Sequence, residues 1–260
     1  MIKLIACDLD GTLLQNNSQS LTPRIIELID RLHEKGILFV AASGRQYPNM
    51  YRLFEPVSKH MAFICENGGF IKYKEEIIHK IAMDRALGLK LMEDIYKREG
   101  CEVLLSGENT SYINPKDNSY LIRMRDTVKN NITIIDDFNK VTEDFIKISV
   151  YEKTGIKEGN GPELQNTWMN TFKSTISGHG WLDFTAPSVN KGNALTILLN
   201  KFNIEPNQVM AFGDNYNDIE MLSLVTYGYA MENAVDDIKN RFNYHTSSVE
   251  DTLEDLLNKL

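Results

Sequence analysis

Asp8 and Asp10 stand two residues apart in Asp8-Leu9-Asp10-Gly11-Thr12, and a third aspartate, Asp214, lies far along the same 260-residue chain. Each segment follows a run that reads as a β-strand: Ile2 to Cys7 before the first pair, Gln208 to Phe212 before Gly213-Asp214. Ser43-Gly44-Arg45 follows a third such run, Ile37 to Ala42, and Lys191-Gly192 opens a helical pattern. Ligands of parallel β-α sheets bind at the carboxyl ends of the strands, so these groups are expected at one sheet edge. Three carboxylates gathered there repel one another unless a cation sits among them. A hard divalent ion such as Mg2+ takes a few carboxylates together with phosphate oxygens, and Ser43, Gly44 and Lys191 are donors of the kind a phosphate needs. One carboxylate can then attack phosphorus while another, two residues along, handles the leaving-group proton, giving an aspartyl-phosphate.

Each element alone has a plainer reading. Asp-Gly after a strand is a common turn, Ser43-Gly44-Arg45 is a helix-capping turn, and an isolated lysine such as Lys191 is a solvated surface residue. Gly213 to Asp218 suggests a calcium loop, but Tyr216 occupies a position where an oxygen ligand is required. The ordered set is what points to phosphoryl transfer.

The elements that must position these groups alternate between strand and helix patterns at both ends of the chain. Thr22-Pro23 supplies an N-cap and a first-turn proline, and Ile25, Ile26, Leu28, Ile29 and Leu32 form one apolar face ending at Gly36. A short helix near Tyr47 to Phe54 and a strand at Ala62 to Cys65 follow, then a hairpin from Phe70 to Ile81 closed around Tyr73-Lys74-Glu75-Glu76. The middle of the chain changes rhythm. Helices are expected at Arg85 to Arg98 and Pro162 to Ser174, and strands near Val103 to Leu105, Ser111 to Ile113, Phe145 to Tyr151 and Leu182 to Phe184. This patterning predicts an antiparallel sheet with helices on one face. From Asn190 the β-α rhythm returns, with helices at Lys191 to Lys201, Asp218 to Ser223 and Val249 to Leu257 and strands at Gln208 to Phe212 and Gly228 to Met231. The expected fold class is α/β: a Rossmann-like parallel-sheet core formed by residues 1–82 and 185–260, interrupted by an inserted α+β cap domain at residues 83–184. Trp168 and Met169 are expected in the cap core.

Composition narrows the partners. With 42% hydrophobic and 25% charged residues, the chain has the make-up of an ordinary globular protein. A net charge of -8 with no long basic run argues against a nucleic-acid or anionic-membrane surface. No apolar run reaches membrane-spanning length and the N-terminal stretch has no signal-peptide pattern, so a cytoplasmic location is expected. Cys7, Cys65 and Cys101 have neither the number nor the spacing of a disulfide framework or zinc site, and buried thiols are expected. No patch suggests an obligate assembly, and the expected state is a monomer or weak homodimer.

The motifs resemble the haloacid dehalogenase (HAD) superfamily, and within it the Cof-like sugar-phosphate phosphatases with a large type IIB cap between the second and third motifs. Asp8 to Leu14, Ser43-Gly44-Arg45, Asn190-Lys191-Gly192 and Gly213 to Leu222 follow that order across the whole chain. Glu66-Asn67-Gly68-Gly69 and Ala230-Met231-Glu232-Asn233-Ala234 resemble supporting strand-end segments of the same subgroup. The resemblance implies Asp8 as nucleophile and Mg2+ ligand and Asp10 as general acid/base. It implies the Asp10 carbonyl and Asp214 as the further metal ligands. Leu9, Thr12, Ser43, Gly44, Lys191 and Asn217 are implied as phosphate-holding positions, and Arg45 and Asp218 as supporting ones, with Asp218 orienting Lys191 or a metal-bound water.

The implied activity is hydrolysis of a small phosphate ester, with sugar phosphates the leading class and flavin mononucleotide or pyridoxal phosphate as further candidates. Asp10 favours a phosphatase over a dehalogenase, because an alcohol leaving group needs a proton. A sugar phosphomutase and a non-catalytic phosphometabolite-binding protein are the alternatives. The cap is expected to close over the site, exclude water and set specificity. Asp183 stands where many relatives are expected to carry Glu, which bears on cap contacts or substrate preference, not on the chemistry. His179, between two glycines, reads as a structural or solvated loop residue with a substrate contact as the minority reading.

Overall fold

The computed structural model describes residues 1–16, 18–74 and 76–260 and forms two compact units. The first comprises residues 1–45, 50–79 and 190–260; the second comprises residues 46–49 and 80–189. Among the described residues no helix is long and apolar enough to cross a membrane.

The chain begins with β1 (Leu4–Asp8), α1 (Pro23–Glu34), β2 (Leu38–Ala42), α2 (Tyr47–Phe54), β3 (Met61–Cys65), β4 (Phe70–Tyr73) and β5 (Glu76–Lys80). The expected hairpin corresponds to β4 and β5, neighbours in the sheet; Glu75, in its expected turn, lies outside the described residues. There follow α3 (Arg85–Lys97), β6 (Cys101–Ser106), β7 (Ser111–Ile113), α4 (Asn118–Ile122), β8 (Ile132–Ile134), β9 (Lys147–Glu152), α5 (Gly161–Trp168), β10 (Lys173–Gly178) and β11 (Trp181–Thr185). The chain closes with α6 (Lys191–Phe202), β12 (Val209–Gly213), α7 (Ile219–Leu224), β13 (Tyr227–Met231), α8 (Asp236–Lys239), β14 (Tyr244–Thr246) and α9 (Val249–Leu257).

Eight strands form the sheet of the first unit in the order β14-β13-β12-β1-β2-β3-β4-β5, parallel from β14 through β3 and antiparallel between β3 and β4. The central strands are apolar on both faces because helices cover both. Leu4, Ala6, Val40, Ala42, Ile64 and Ala211 pack with Leu195, Leu198 and Leu199 of α6. Residues Ile25, Leu28, Ile29 and Leu32 of α1 are buried as its sequence period requires, with Thr22 Oγ1 accepting from Ile25 N at 3.2 Å to cap it. Each of these large aliphatic side chains contributes roughly 1.5–3 kcal/mol by leaving water.

The second unit is a six-stranded sheet, β10-β11-β9-β6-β7-β8, antiparallel except for the β7–β8 pair. Its helices occupy both faces, not one. Leu91, Met92 and Ile95 of α3 and Leu164 of α5 pack with Val103, Leu105, Ile148, Val150 and Leu182. Tyr120 of α4 and the following Met124 pack with Leu104, Ile113 and Tyr151, strand residues of opposite parity. The expected helix through Ser174 stops at Trp168, and Lys173 begins a strand. Its β-branched Thr175 and Ile176 pair with Asp183 and Leu182, a cross-strand gain that local helical spacing does not register. Trp168 packs on the core with Nε1 donating to Asp94 Oδ2 at 2.9 Å, whereas Met169, expected beside it, is 63% exposed because the helix ends one residue earlier.

Candidate active site

Register places the chemistry. β1 lies between β12 and β2, with Cys7 opposite Phe212 and Asp8 opposite Ala42. Asp8, Ser43 and Asp214 therefore emerge together at the carboxyl edge of three adjacent parallel strands. Asp8 and Ser43 are buried, and Asp214 is partly buried.

Lys191 enters the same edge from α6. Asn190 caps that helix, its Oδ1 accepting from Asn193 N at 2.7 Å, so Lys191 is the first helical residue. A cation at a helix N-terminus opposes the helix dipole, and full burial opposes it further. Two carboxylates outweigh both effects. Lys191 Nζ donates to Asp218 Oδ1 at 2.6 Å and to Asp8 Oδ1, and although burial depresses its pKa, Asp218 and Asp8 hold it above the ordinary lysine value.

Asp218 is wholly occupied by structure. Its Oδ2 accepts from Asp214 N at 3.1 Å and Asn215 N at 3.0 Å, while Asn215 Oδ1 accepts from Tyr216 N, closing a self-capped turn. Thr12, expected at the phosphate, directs its hydroxyl to Asp214 Oδ1 at 3.0 Å. Gly11 makes that approach possible. Its φ of 91° is unfavourable for a side chain, and a Cβ there would fall on the Asp214 carboxylate. Leu9 is buried, and its carbonyl closes the turn by accepting from Thr12 N at 3.2 Å and Leu14 N at 2.7 Å.

Carboxylate oxygens of Asp8, Asp214 and Asp218 lie within 4.8 Å of one another. Burial first, and then the charge of Asp218, pushes the Asp8 carboxyl well above the usual range despite Lys191; the same two causes raise Asp214. Three carboxylates against one ammonium leave an excess of negative charge that an oxygen-preferring dication would balance. With Asp218 committed to Lys191 and two amides, Asp8 and Asp214 are the side chains open to such an ion.

Asp10 is placed differently from the other aspartates. Its side chain is 55% exposed and is gripped by Arg45, Nε to Oδ2 at 2.9 Å and Nη2 to Oδ1 at 2.5 Å. Ser43 Oγ accepts from Arg45 N at 3.2 Å, which anchors the turn from which that guanidinium projects. Asn217 Nδ2 donates to Asn67 Oδ1 at 3.1 Å, and Asn67 N in turn donates to Ser43 O at 2.9 Å. A Cβ on Gly44 would stand 3.1 Å from Asn67 Nδ2, so Gly44 shares that corner. Asn67 and Asn233, whose Nδ2 donates to Gly11 O at 2.8 Å, are the framework residues that motif reading passed over. Both lie in the supporting strand-end segments. Their signal was an amide side chain beside a turn, Asn67 with φ of 56°.

In the second unit, Asp183 is buried with Ser149 Oγ donating to its Oδ1 at 2.6 Å and Lys147 Nζ 3.5 Å from its Oδ2. His179 is exposed in the β10–β11 turn, where its carbonyl accepts from Ile156 N at 2.9 Å.

Residues 5–252 match the family model of haloacid dehalogenase-like hydrolases. The chain belongs to that family. It is 28% identical over 233 residues to the 5-amino-6-(5-phospho-D-ribitylamino)uracil phosphatase of Escherichia coli, covering 90% of this chain and 86% of the relative. A solved structure from Eubacterium rectale is 28% identical and superposes with a TM-score of 0.89 over 98% of this chain and 99% of its own. The sugar phosphatase BT4131 of HAD subclass IIB shares the fold, with a TM-score of 0.80 at 22% identity and 98% of each chain covered. The family resemblance and the α/β fold class expected from the ordered motifs are thereby borne out.

Proposed function

We propose that this HAD-family chain is a magnesium-dependent phosphomonoesterase acting on small phosphorylated metabolites through an aspartyl-phosphate on Asp8. The observation that carries this reading is the buried Lys191 ammonium bridging Asp8 and Asp218 beside Asp214. A solvated surface lysine has no reason to be sealed among carboxylates; one that neutralises a nucleophile and an incoming phosphate does.

In this reading the Asp8 carboxylate attacks phosphorus, the ester P–O bond breaks, and the departing alkoxide takes its proton from Asp10. Asp10 then withdraws a proton from water, which attacks the aspartyl-phosphate and releases phosphate, regenerating the Asp8 carboxylate. Ser43, Gly44, Asn217 and Lys191 hold the phosphoryl oxygens, Thr12 orients Asp214, and Asp218 orients Lys191. Asp8, Asp214 and the Asp10 carbonyl would hold Mg2+, which would supply charge neutralisation of the phosphoryl group. Both Asp10 oxygens are engaged by Arg45, so Asp10 serves as an acid only after turning out of that fork.

For the substrate, we infer a phosphate on a polyhydroxylated carbon chain, a sugar or polyol phosphate. The relative named for a ribityl phosphate and the sugar phosphatase sharing the fold both support that class. Release of phosphate from p-nitrophenyl phosphate in the presence of Mg2+, abolished by Asp8→Asn, tests the reaction; activity that survives the substitution sinks it. A panel of sugar and polyol phosphates, with the same variant as blank, tests the class, and free phosphate as product separates a phosphatase from a mutase.

A further inference from the structure

The second unit contains a cavity of about 410 Å³, walled by the start of β6, the turn into α4 and the end of β9. That is within the size range of small-molecule sites. Its chemistry is lopsided. Tyr120 and Tyr151, both buried, form one wall with ring centroids 5.6 Å apart and near-parallel planes. The Arg123 guanidinium lies 4.8 Å from the Tyr151 ring centroid. Its Nε is buried and has no hydrogen-bond acceptor among the described residues. Arg123 also begins a π-helical turn, Arg123–Val128, a rare backbone form that recurs at functional sites.

Two further cations line the cavity. Lys116 Nζ donates to Arg98 O at 2.9 Å and lies 4.6 Å from the Tyr96 ring centroid, without a carboxylate partner among the described residues. Lys153 is exposed at the rim, and its charge helps to hold the Asp117 carboxyl below the usual carboxylate range. The two acids lining the cavity are committed elsewhere. Glu102 accepts from Lys116 N and Asp117 N, each at 3.1 Å, and burial pushes its carboxyl pKa up. Asp117 accepts from Ser119 N at 3.0 Å and Ser119 Oγ at 2.6 Å.

We propose that this cavity is a second ligand site, separate in sequence and chemistry from the Asp8 cluster, for a small organic anion with a flat apolar body. The carboxylates take their hydrogen bonds from backbone and hydroxyl donors, so Lys116 and Lys153 act on Glu102 and Asp117 only through space, and Arg123 keeps its buried Nε for an acceptor. The phenolic wall suits an aromatic or unsaturated body, and the guanidinium supplies planar, paired donors for a carboxylate or phosphate group.

Calorimetric titration of the full chain, without added divalent cation, tests this with phenylphosphonate and benzoate as probes. Saturable binding of at least one is expected; the preferred probe tells a phosphate-type from a carboxylate-type ligand. Lys153→Glu, at an exposed position that leaves the fold intact, is expected to weaken the preferred probe by roughly tenfold or more, and Arg123→Gln by at least as much. Failure of both probes to bind at millimolar concentration, or an affinity that Lys153→Glu leaves unchanged, overturns the proposal.

Discussion

Asp218 and Lys191 meet through a 2.6 Å hydrogen bond with both side chains sealed from solvent, and the other Asp218 oxygen anchors the amides of Asp214 and Asn215. One carboxylate thus aligns the cation and the loop carrying the third acidic residue. Asp218→Ala is expected to destabilise the protein by about 3–5 kcal/mol, since it strands a buried charge. Asp218→Asn keeps the shape but loses the charge, and is expected to lower kcat by about a hundredfold or more while remaining folded. Denaturant unfolding of both variants, with steady-state rates for the second, checks this.

Asp8 and Asp214 have folded-state pKa values raised by burial and by Asp218. A carboxyl raised in this way contributes stability in its protonated form, fully present below the unfolded value of about 4 and lost as pH rises through the folded value. The metal-free protein therefore loses stability on this account from acid toward neutral pH. Added Mg2+ is expected to restore it near neutrality, by about 2.7 kcal/mol at roughly a hundredfold excess over Kd, and to have little effect in acid. Thermal unfolding with EDTA or Mg2+ between about pH 5 and about pH 8 measures the difference; an Mg2+ effect that grows toward acid contradicts it.

Arg45 holds Asp10 at a half-exposed position. Surface pairs of this kind contribute little to folding, so Arg45→Ala is expected to change stability by less than about 1 kcal/mol. Its effect belongs in catalysis. The rate is expected to rise, by up to roughly tenfold, because Asp10 no longer has to leave the fork before it gives up its proton. Parallel measurement of Tm and kcat separates the two; a Tm loss with an unchanged rate refutes the assignment.

The three thiols are buried, and burial raises the pKa of each, that of Cys101 to about 12. The thiolate is the reactive form. Native protein at about pH 8 is expected to give almost no reaction with 5,5′-dithiobis(2-nitrobenzoic acid), and denatured protein three equivalents. Fast labelling of one native thiol would show that its surroundings open.

Much of this is legible in the amino-acid sequence. The α1 boundaries follow from Thr22-Pro23 and an apolar period of 3.6, both local properties of consecutive residues. Reactive groups placed just after apolar strand runs had to surface at one edge once the strands paired in parallel. Chain order and strand periodicity therefore brought Asp8, Ser43, Lys191 and Asp214 to one edge, but the third carboxylate of the cluster is Asp218 and not the expected Asp10, which turns to Arg45. Where local pattern and tertiary pairing compete, sequence reading erred. The helix expected through Ser174 gave way to a strand paired with β11, Met169 turned outward, and α4 took the opposite sheet face from α3 and α5.

The partners within the site were decided by tertiary structure alone. Thr12 could have faced a phosphate but bonds Asp214; Asp218 fills its lone pairs with Lys191 and two amides; Asp10 turns to Arg45 instead of joining Asp8. Such choices depend on rotamers and on distances of a few ångströms between segments far apart in the chain, which periodicity and spacing do not encode. The amino-acid sequence determined the kinds of groups and the edge they share. Packing decided which of them are buried together, and burial is what turns an ordinary lysine and three ordinary aspartates into a charged, cation-seeking cluster.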